Sequence, residues 1–239
     1  MKPNGLSVIP LAAALLPAVT IHLCYIIAAS HGHVPWCVPY WDSCVSISAT
    51  GRQSPESYIF RGLMIPTAVV FMAYWLLCHA WLKQLGSRHP GVRHAMLALG
   101  VAGAVGLIWY TAVLGSEGRV FFIQRRAGVT SFFVMTVLAQ CLLTLELATI
   151  ERRRSTGVSG PVRGVMAVLA TVIVASGLVS LVLSATVAAY DRIEDAYEWV
   201  ITALILGHAL VTHFAWRQSG FTARLETGSP PGEDPVDRL

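Results

Sequence analysis

Charged residues are scarce in this sequence. Asp, Glu, Lys and Arg together make up 13% of its 239 residues, whereas hydrophobic residues make up 55%. Soluble globular domains contain about 25% charged residues, which they need to cover an apolar core. The composition therefore excludes an ordinary soluble fold and predicts an integral membrane protein.

The sequence also lacks the short motifs of nucleotide and metal chemistry. It contains no phosphate-binding glycine loop, no dinucleotide fingerprint and no pair of metal ligands spaced for one helix face. The net charge is only +4, and membrane orientation with attraction to anionic head groups explains it without a nucleic-acid partner. We therefore expect no cofactor, no metal and no nucleic acid.

Long apolar runs fill most of the chain instead. A hydrocarbon core about 30 Å thick requires about 20 apolar residues in a helix. Six runs meet this requirement and predict an all-α bundle of six transmembrane helices, at about 6–29, 59–81, 94–114, 130–150, 163–189 and 196–216. The first run exceeds the core of a signal peptide, which is about 7–15 residues long, so we expect it to remain as a span.

The spans predict one transmembrane domain over residues 1–217 and a disordered tail over 218–239, which is rich in Gly, Pro and acidic residues. Most of the 17 basic residues lie at the chain ends and in the even-numbered loops. The positive-inside rule then places both termini and the tail in the cytoplasm. The plasma membrane and an endomembrane both fit this pattern.

Some basic residues run against this bias, in or beside the odd-numbered loops: Arg52, Arg61, Arg119, Arg125, Arg126 and Arg192. On the cytoplasmic side, the consecutive residues Arg152, Arg153 and Arg154 are typical of a run that sets topology, with a specific phosphoinositide site as the alternative.

The loop at residues 30–58 is the only long one between spans, and the predicted orientation makes it extracytoplasmic. Its aromatic residues Trp36, Tyr40 and Trp41 are of the kind that prefer the membrane interface. We therefore expect this loop to fold across the outer mouth of the bundle.

Two cysteines, Cys37 and Cys44, lie in this loop. On an oxidising face they are candidates for a disulfide, and free thiols are the alternative. Nearby His31, His33 and Asp42 make a metal site conceivable, although the spacing lacks a zinc-type pairing of ligands.

Small residues recur on two spans and predict close helix contacts. They are Gly100, Gly103 and Gly106 on the third span, and Ser176, Ser180, Ser184 and Ala188 on the fifth. A ligand groove along either stripe is the alternative.

Ionisable residues inside the bilayer are costly and often functional. Glu198 lies inside the sixth span beside Trp199, and His208 lies near the middle of that span. Ten residues separate the two, about 15 Å along a helix axis, so they do not form a direct pair. A hydrogen-bonded core histidine is the alternative interpretation of His208.

The stretch from Ser46 to Gly51, the stretch from Pro55 to Phe60, and the pair Glu198-Trp199 resemble the signature of the DRAM/FRAG/SFK superfamily, with its CWH-type N-terminal domain. This family includes damage-regulated autophagy modulators and factors that remodel GPI lipids. The resemblance covers nearly the whole chain and implies six spans with cytoplasmic termini and a role in lipid handling.

The matched residues are candidates for a lipid head-group cavity at the outer leaflet. With His208 added from its position in the span, they are Ser46, Ser48, Thr50, Gly51, Glu56, Glu198, Trp199 and His208. A purely structural alternative is that the loop closes the bundle and begins the second span.

Three classes of function remain. The leading one is a multi-pass protein that binds, senses or organises membrane lipid, in autophagy or GPI-lipid pathways as the resemblance implies. An acyltransferase or hydrolase of the GPI-remodelling type is the first alternative. Many relatives carry a histidine where this chain reads Gln124 to Gly128, so we do not carry an enzymatic role over. A transporter or channel is disfavoured because no span carries a row of charges.

Overall fold

The structure is a computed structural model that describes residues 5–187, 190 and 193–222. Within them the chain forms seven α-helices and no β-strand: α1 (Val8–Ser30), α2 (Pro39–Asp42), α3 (Glu56–Gln84), α4 (Pro90–Ala112), α5 (Arg119–Glu151), α6 (Gly160–Thr186) and α7 (Glu194–Ser219). Short 3-10 turns lie at Gly5–Ser7 and Ala49–Gly51.

Six of these helices, all except α2, are long and apolar enough to cross a membrane. This confirms the predicted all-α bundle of six spans. The last two residues of the fifth predicted span and the predicted tail after Thr222 lie outside the described residues.

The six long helices form a closed ring in which each packs against two main neighbours. Around the ring the order is α1, α3, α4, α5, α6 and α7, and α7 returns to α1. One end of the bundle carries residues 31–55, and we call it the loop face. The other end, which carries the α3–α4 and α5–α6 connections, is the opposite face.

The fourth spanning helix is longer than the sequence predicts, because α5 begins at Arg119 instead of Thr130. Its 33 residues extend about 50 Å, whereas the hydrocarbon core is about 30 Å thick. The apolar run marks only the part that matches the bilayer, and no proline interrupts the preceding turns. Helix α5 therefore projects beyond the predicted span at the loop face.

Helix α4 uses its glycine stripe for close packing, as predicted. A Cβ atom built on Gly100 would lie 2.2 Å from Cγ of Trp75 in α3, and one on Gly106 would lie 2.9 Å from the carbonyl oxygen of Gly128 in α5. Trp75 is fully buried. The glycines therefore let α4 fit between two neighbouring helices.

The serine stripe of α6 behaves differently. Only Met166, Ala170 and Ile173 of α6 are buried, and Ser184 is exposed. Ser176 and Ser180 are half-buried, and the Ser180 hydroxyl hydrogen-bonds the Tyr190 hydroxyl. The stripe is therefore only partly covered in the single chain, and its last member, Ala188, lies outside the described residues. The buried residues of α6 all lie in its first half, up to its middle residue Ile173.

Candidate functional site

The loop between α1 and α3 is folded onto the loop face and held by a disulfide between Cys37 and Cys44, whose Cα atoms are 6.7 Å apart. The Tyr25 hydroxyl at the end of α1 donates to the carbonyl oxygen of Cys37 at 2.7 Å and accepts from its N–H at 2.8 Å. Tyr40 hydrogen-bonds His22 through its hydroxyl at 3.0 Å, and burial raises the pKa of the Tyr40 phenol. The loop therefore lies as a lid against α1.

The first turns of α7 hold the middle of this lid. The Trp199 indole N–H donates to the carbonyl oxygen of Val45 at 2.8 Å, and the Ile47 N–H donates to Oε2 of Glu198 at 3.1 Å. The Ala196 N–H donates to the Ser43 hydroxyl at 3.1 Å, which satisfies one free N–H at the start of α7. Glu198 and Trp199 therefore anchor the lid.

Glu56 anchors the beginning of the lid to the start of α3. Its side chain is fully buried, and Oε1 is 2.7 Å from Nδ1 of His33. The first turn of a helix stabilises a negative charge because the free N–H groups point toward it. Glu56 and His33 therefore pin the segment after α1 beside the helix that follows the loop.

The hydroxyl cluster of the lid organises a turn. The Ser46 and Ser48 hydroxyls are 3.1 Å apart, and the Arg52 guanidinium donates to the Ser48 hydroxyl at 2.8 Å. Thr50 donates to the carbonyl oxygen of Ile47 at 2.7 Å. Gly51 is buried, and a Cβ atom there would lie 2.6 Å from the ring of Phe60. These residues close the turn and position Arg52 at its edge.

His208 does not lie with this cluster. It is fully buried in the middle of α7, where its Nε2 is 2.9 Å from the Thr144 hydroxyl of α5. One helical turn away, the Gln140 amide donates to the carbonyl oxygen of Ile205 at 2.9 Å. These contacts give His208 a place in the polar connection between α5 and α7.

An open groove lies beside the lid, between its last turn and the connection from α4 to α5. Its volume is about 610 Å³. The groove is lined by Arg52, Gln53, Gly115, Ser116, Glu117, Gly118, Arg119, Phe122 and Arg125.

The groove has an excess of positive charge, because three arginines and one glutamate line it. Arg125 donates to the carbonyl oxygen of Ser116 at 2.7 Å, which holds its guanidinium at the wall. The ion pairs found among the described residues involve none of Arg52, Arg119 and Arg125. Arg52 also interacts electrostatically with the carboxylates of Asp195 and Glu198. The charges of Arg119 and Arg125 are therefore the ones most available to an anion.

An apolar surface adjoins the groove at the start of α5. The consecutive residues Val120, Phe121, Phe122 and Ile123 are all exposed, by 39% to 65%. Phe122 also lines the groove. An exposed apolar segment beside a basic groove, on a helix that extends past its predicted span, suits the membrane interface, where apolar side chains enter the lipid and basic side chains meet the head groups.

The predicted site residues thus divide into three positions. Ser46, Ser48, Thr50 and Gly51 build the turn beside the groove, and Arg52 is the residue of that turn that lines it. The residues Glu56, Glu198 and Trp199 fasten the lid, and His208 lies deep in the core.

Sequence reasoning missed the groove itself. A signal for it was present, because Arg52, Arg119 and Arg125 are among the basic residues that run against the positive-inside bias.

The fold and this site define a class of protein: a six-span helical membrane protein with a disulfide-held lid over one face. The particular family follows from comparison. Residues 5–217 match the model of the Frag1/DRAM/Sfk1/Cwh43P N-terminal domain, and the chain belongs to this family. No curated protein and no solved structure matches the chain.

Proposed function

We propose that this protein binds an anionic phospholipid at its loop face, with the head group in the groove and the acyl chains along the start of α5. The observation that carries the proposal is the meeting of three arginines, Arg52, Arg119 and Arg125, at one open groove that a single carboxylate, that of Glu117, also lines. Lipid binding of this kind fits the lipid-handling role that the family resemblance implies.

The chemistry of the groove suits a phosphate. Arginine presents a planar set of N–H donors that matches phosphate oxygens and binds them in pairs. Gly118 and Arg119, at the beginning of α5, line the groove, and the free N–H groups of a helix N-terminus favour a negative charge. Arginine side chains and helix terminus therefore favour the same ligand charge.

The surroundings of the groove suit a lipid more than a free anion. Phe122 lines the groove and is 52% exposed, which leaves an apolar surface where acyl chains begin. Burial of apolar area contributes about 25 cal/mol per Å², so chains that cover this patch add to the affinity of the head group. If the termini are cytoplasmic, as the sequence predicts, the groove faces the extracytoplasmic leaflet, and we propose that the bound lipid comes from that leaflet.

The lid gives the groove its rigidity in this proposal. Ser48 holds the Arg52 guanidinium, and Glu198 holds the backbone N–H of Ile47 in the same turn. A preformed site loses less conformational entropy when its ligand binds. The lid residues therefore act on the lipid through the position of Arg52.

We expect Arg125→Gln to weaken the retention of anionic phospholipid by about tenfold, because a charge-assisted hydrogen bond contributes about 1.5–3 kcal/mol. The measurement is native mass spectrometry of the detergent-purified full chain after titration with short-chain phosphatidylserine and phosphatidylcholine.

The matched control is Arg126→Gln, which removes the same charge from the next residue, one that does not line the groove. We expect this variant to bind phosphatidylserine like the wild type. Equal losses in the two variants would mean that general electrostatic attraction, rather than the groove, retains the lipid. Equal binding of both lipids to the wild type would contradict the proposal outright.

A further inference from the structure

A second basic pocket lies on the opposite face of the bundle, between the end of α3 and the end of α5. Its volume is about 250 Å³. The residues that line it are Gly86, Arg88, Glu146, Thr149, Ile150, Arg153 and Arg154. The α3–α4 connection and the end of α5 thus place arginines from distant parts of the chain around one cavity.

The guanidinium of Arg154 packs against the backbone at Gly86. Gly86 has a φ of +83°, and a Cβ atom there would lie 2.7 Å from Nη1 of Arg154. A side chain at this position would meet both a strained backbone and the guanidinium. At the end of α5, the N–H groups of Arg153 and Arg154 both donate to the carbonyl oxygen of Ile150 at 2.9 Å, so the chain turns toward the pocket.

The nearby carboxylates have other partners. Glu146 is only 4% exposed, and its two oxygens are 3.1 and 3.2 Å from Nδ1 of His89. Glu151 accepts hydrogen bonds from the hydroxyl and N–H of Thr156 at 2.6 and 2.8 Å and pairs with Arg163 at 3.2 Å.

The charges of the pocket's arginines are therefore not neutralised by these carboxylates. The ion pairs among the described residues involve none of Arg88, Arg153 and Arg154. Three guanidinium groups against one carboxylate, that of Glu146, leave an excess of two positive charges in a pocket with a polar wall. A phosphate monoester carries about −1.5 to −2 charges at neutral pH, so its charge matches this excess.

We propose that this pocket binds a phosphate monoester carried by a lipid head group, with Arg88, Arg153 and Arg154 around the phosphate. Thr149 also lines the pocket, and its hydroxyl oxygen can accept a hydrogen bond from the head group while the hydroxyl donates to the carbonyl oxygen of Leu145. Leu145, next to Glu146 on α5, is 63% exposed, so an apolar surface for an acyl chain begins beside the pocket. The pocket is a separate site from the loop-face groove and does not depend on it.

This arrangement differs from a run of arginines that only sets topology. Such a run needs no particular geometry, since the positive-inside rule depends on the number of basic residues near the ends of spans. Here Arg152 does not line the pocket, whereas Arg153 and Arg154 line it together with Arg88 from another connection. The convergence of separate segments on one cavity indicates a binding site.

The test uses the detergent-purified full chain and native mass spectrometry with dioctanoyl phosphatidic acid, a lipid that carries a phosphate monoester. We expect the wild type to bind two copies, one at each basic site. Arg154→Gln weakens the binding of one of the two copies by about tenfold. Arg125→Gln leaves the copy that Arg154 binds, so failure of the loop-face groove and failure of this pocket give different results.

Arg152→Gln is the matched control, because it removes an equal charge two residues earlier in the chain, from a residue that does not line the pocket. We expect it to bind as the wild type does, and an equal loss in Arg152→Gln and Arg154→Gln would overturn the proposal. Arg88→Gln is a second variant, from the α3–α4 connection, and we expect the same loss of affinity from it. It replaces Arg154→Gln in the test if that variant does not fold.

Inorganic phosphate and dioctanoyl phosphatidylcholine separate the sources of the ligand. We expect neither to displace phosphatidic acid from the pocket when added in equal amount. Displacement by inorganic phosphate would show that the pocket binds a free anion, and displacement by phosphatidylcholine would show that it does not select a monoester. Either result would overturn the assignment.

Discussion

Gly100→Ala is expected to lower the thermal stability of the purified protein more than a glycine-to-alanine substitution does at most other helical positions. The added Cβ atom would lie 2.2–2.4 Å from three ring atoms of Trp75. Trp75 is fully buried, so its ring has no open space into which it can turn. Overpacking of a core costs about 1–3 kcal/mol and sometimes more, and we expect the upper end of this range because the obstacle is a rigid indole. The measurement is the thermal unfolding midpoint in detergent.

Gly177→Ala is the matched control in α6. It makes the same substitution inside another span, where a Cβ atom meets nothing within 4 Å. Alanine favours a helix over glycine by about 1 kcal/mol, so we expect this variant to be as stable as the wild type or more so. A similar fall of the unfolding midpoint in both variants would show that the contact with Trp75 is not what the methyl group disturbs.

Trp199→Ala detaches the lid from the bundle. The side chain of Trp199 is fully buried, packs edge-on against His22, Tyr25 and Tyr40 with ring centroids 5.3–6.2 Å apart, and donates to the carbonyl oxygen of Val45. Loss of a buried tryptophan costs about 3–5 kcal/mol. The measurement is hydrogen exchange of the amides of residues 37–47, which we expect to speed up strongly.

Trp41→Ala controls for the loss of a tryptophan from the lid itself. Trp41 is 88% exposed, so its removal leaves the packing around Trp199 intact, and we expect the exchange rates to stay close to those of the wild type. Unchanged exchange in Trp199→Ala would show that the disulfide and the contacts of Tyr25 hold the lid without α7.

The lid and the groove are coupled through Arg52. Arg52 lines the groove and also donates to Ser48 in the turn that α7 anchors through Glu198. Trp199→Ala therefore disturbs the groove as well as the lid, whereas Arg125→Gln changes the groove alone. The two variants separate the architectural role of the family motif from the binding role that we propose for the arginines beside it.

The number of spans and the family were readable from the sequence. A helix that crosses lipid satisfies its own backbone hydrogen bonds and is apolar where it meets the hydrocarbon. The hydropathy of the sequence therefore shows where each span lies. The motif from Ser46 to Gly51 pointed to the family because it is one contiguous stretch of sequence. The early start of α5 escaped this reasoning, because the turns after Arg119 mix charge with apolar residues and are not marked by hydropathy.

The tertiary structure alone decided which polar residues meet. Arg52 of the α1–α3 connection joins Arg119 and Arg125 of α5 at one groove, and Arg88 of the α3–α4 connection joins Arg154 of the α5–α6 connection at another pocket. Glu198 accepts a hydrogen bond from the backbone N–H of Ile47 and also interacts electrostatically with Arg52, which lies in the same loop as Ile47. Contacts of this kind depend on how the helices are ordered around the ring and on where each loop returns. Composition and spacing along the chain carry no record of that order, because packing between helices joins residues that are far apart in sequence.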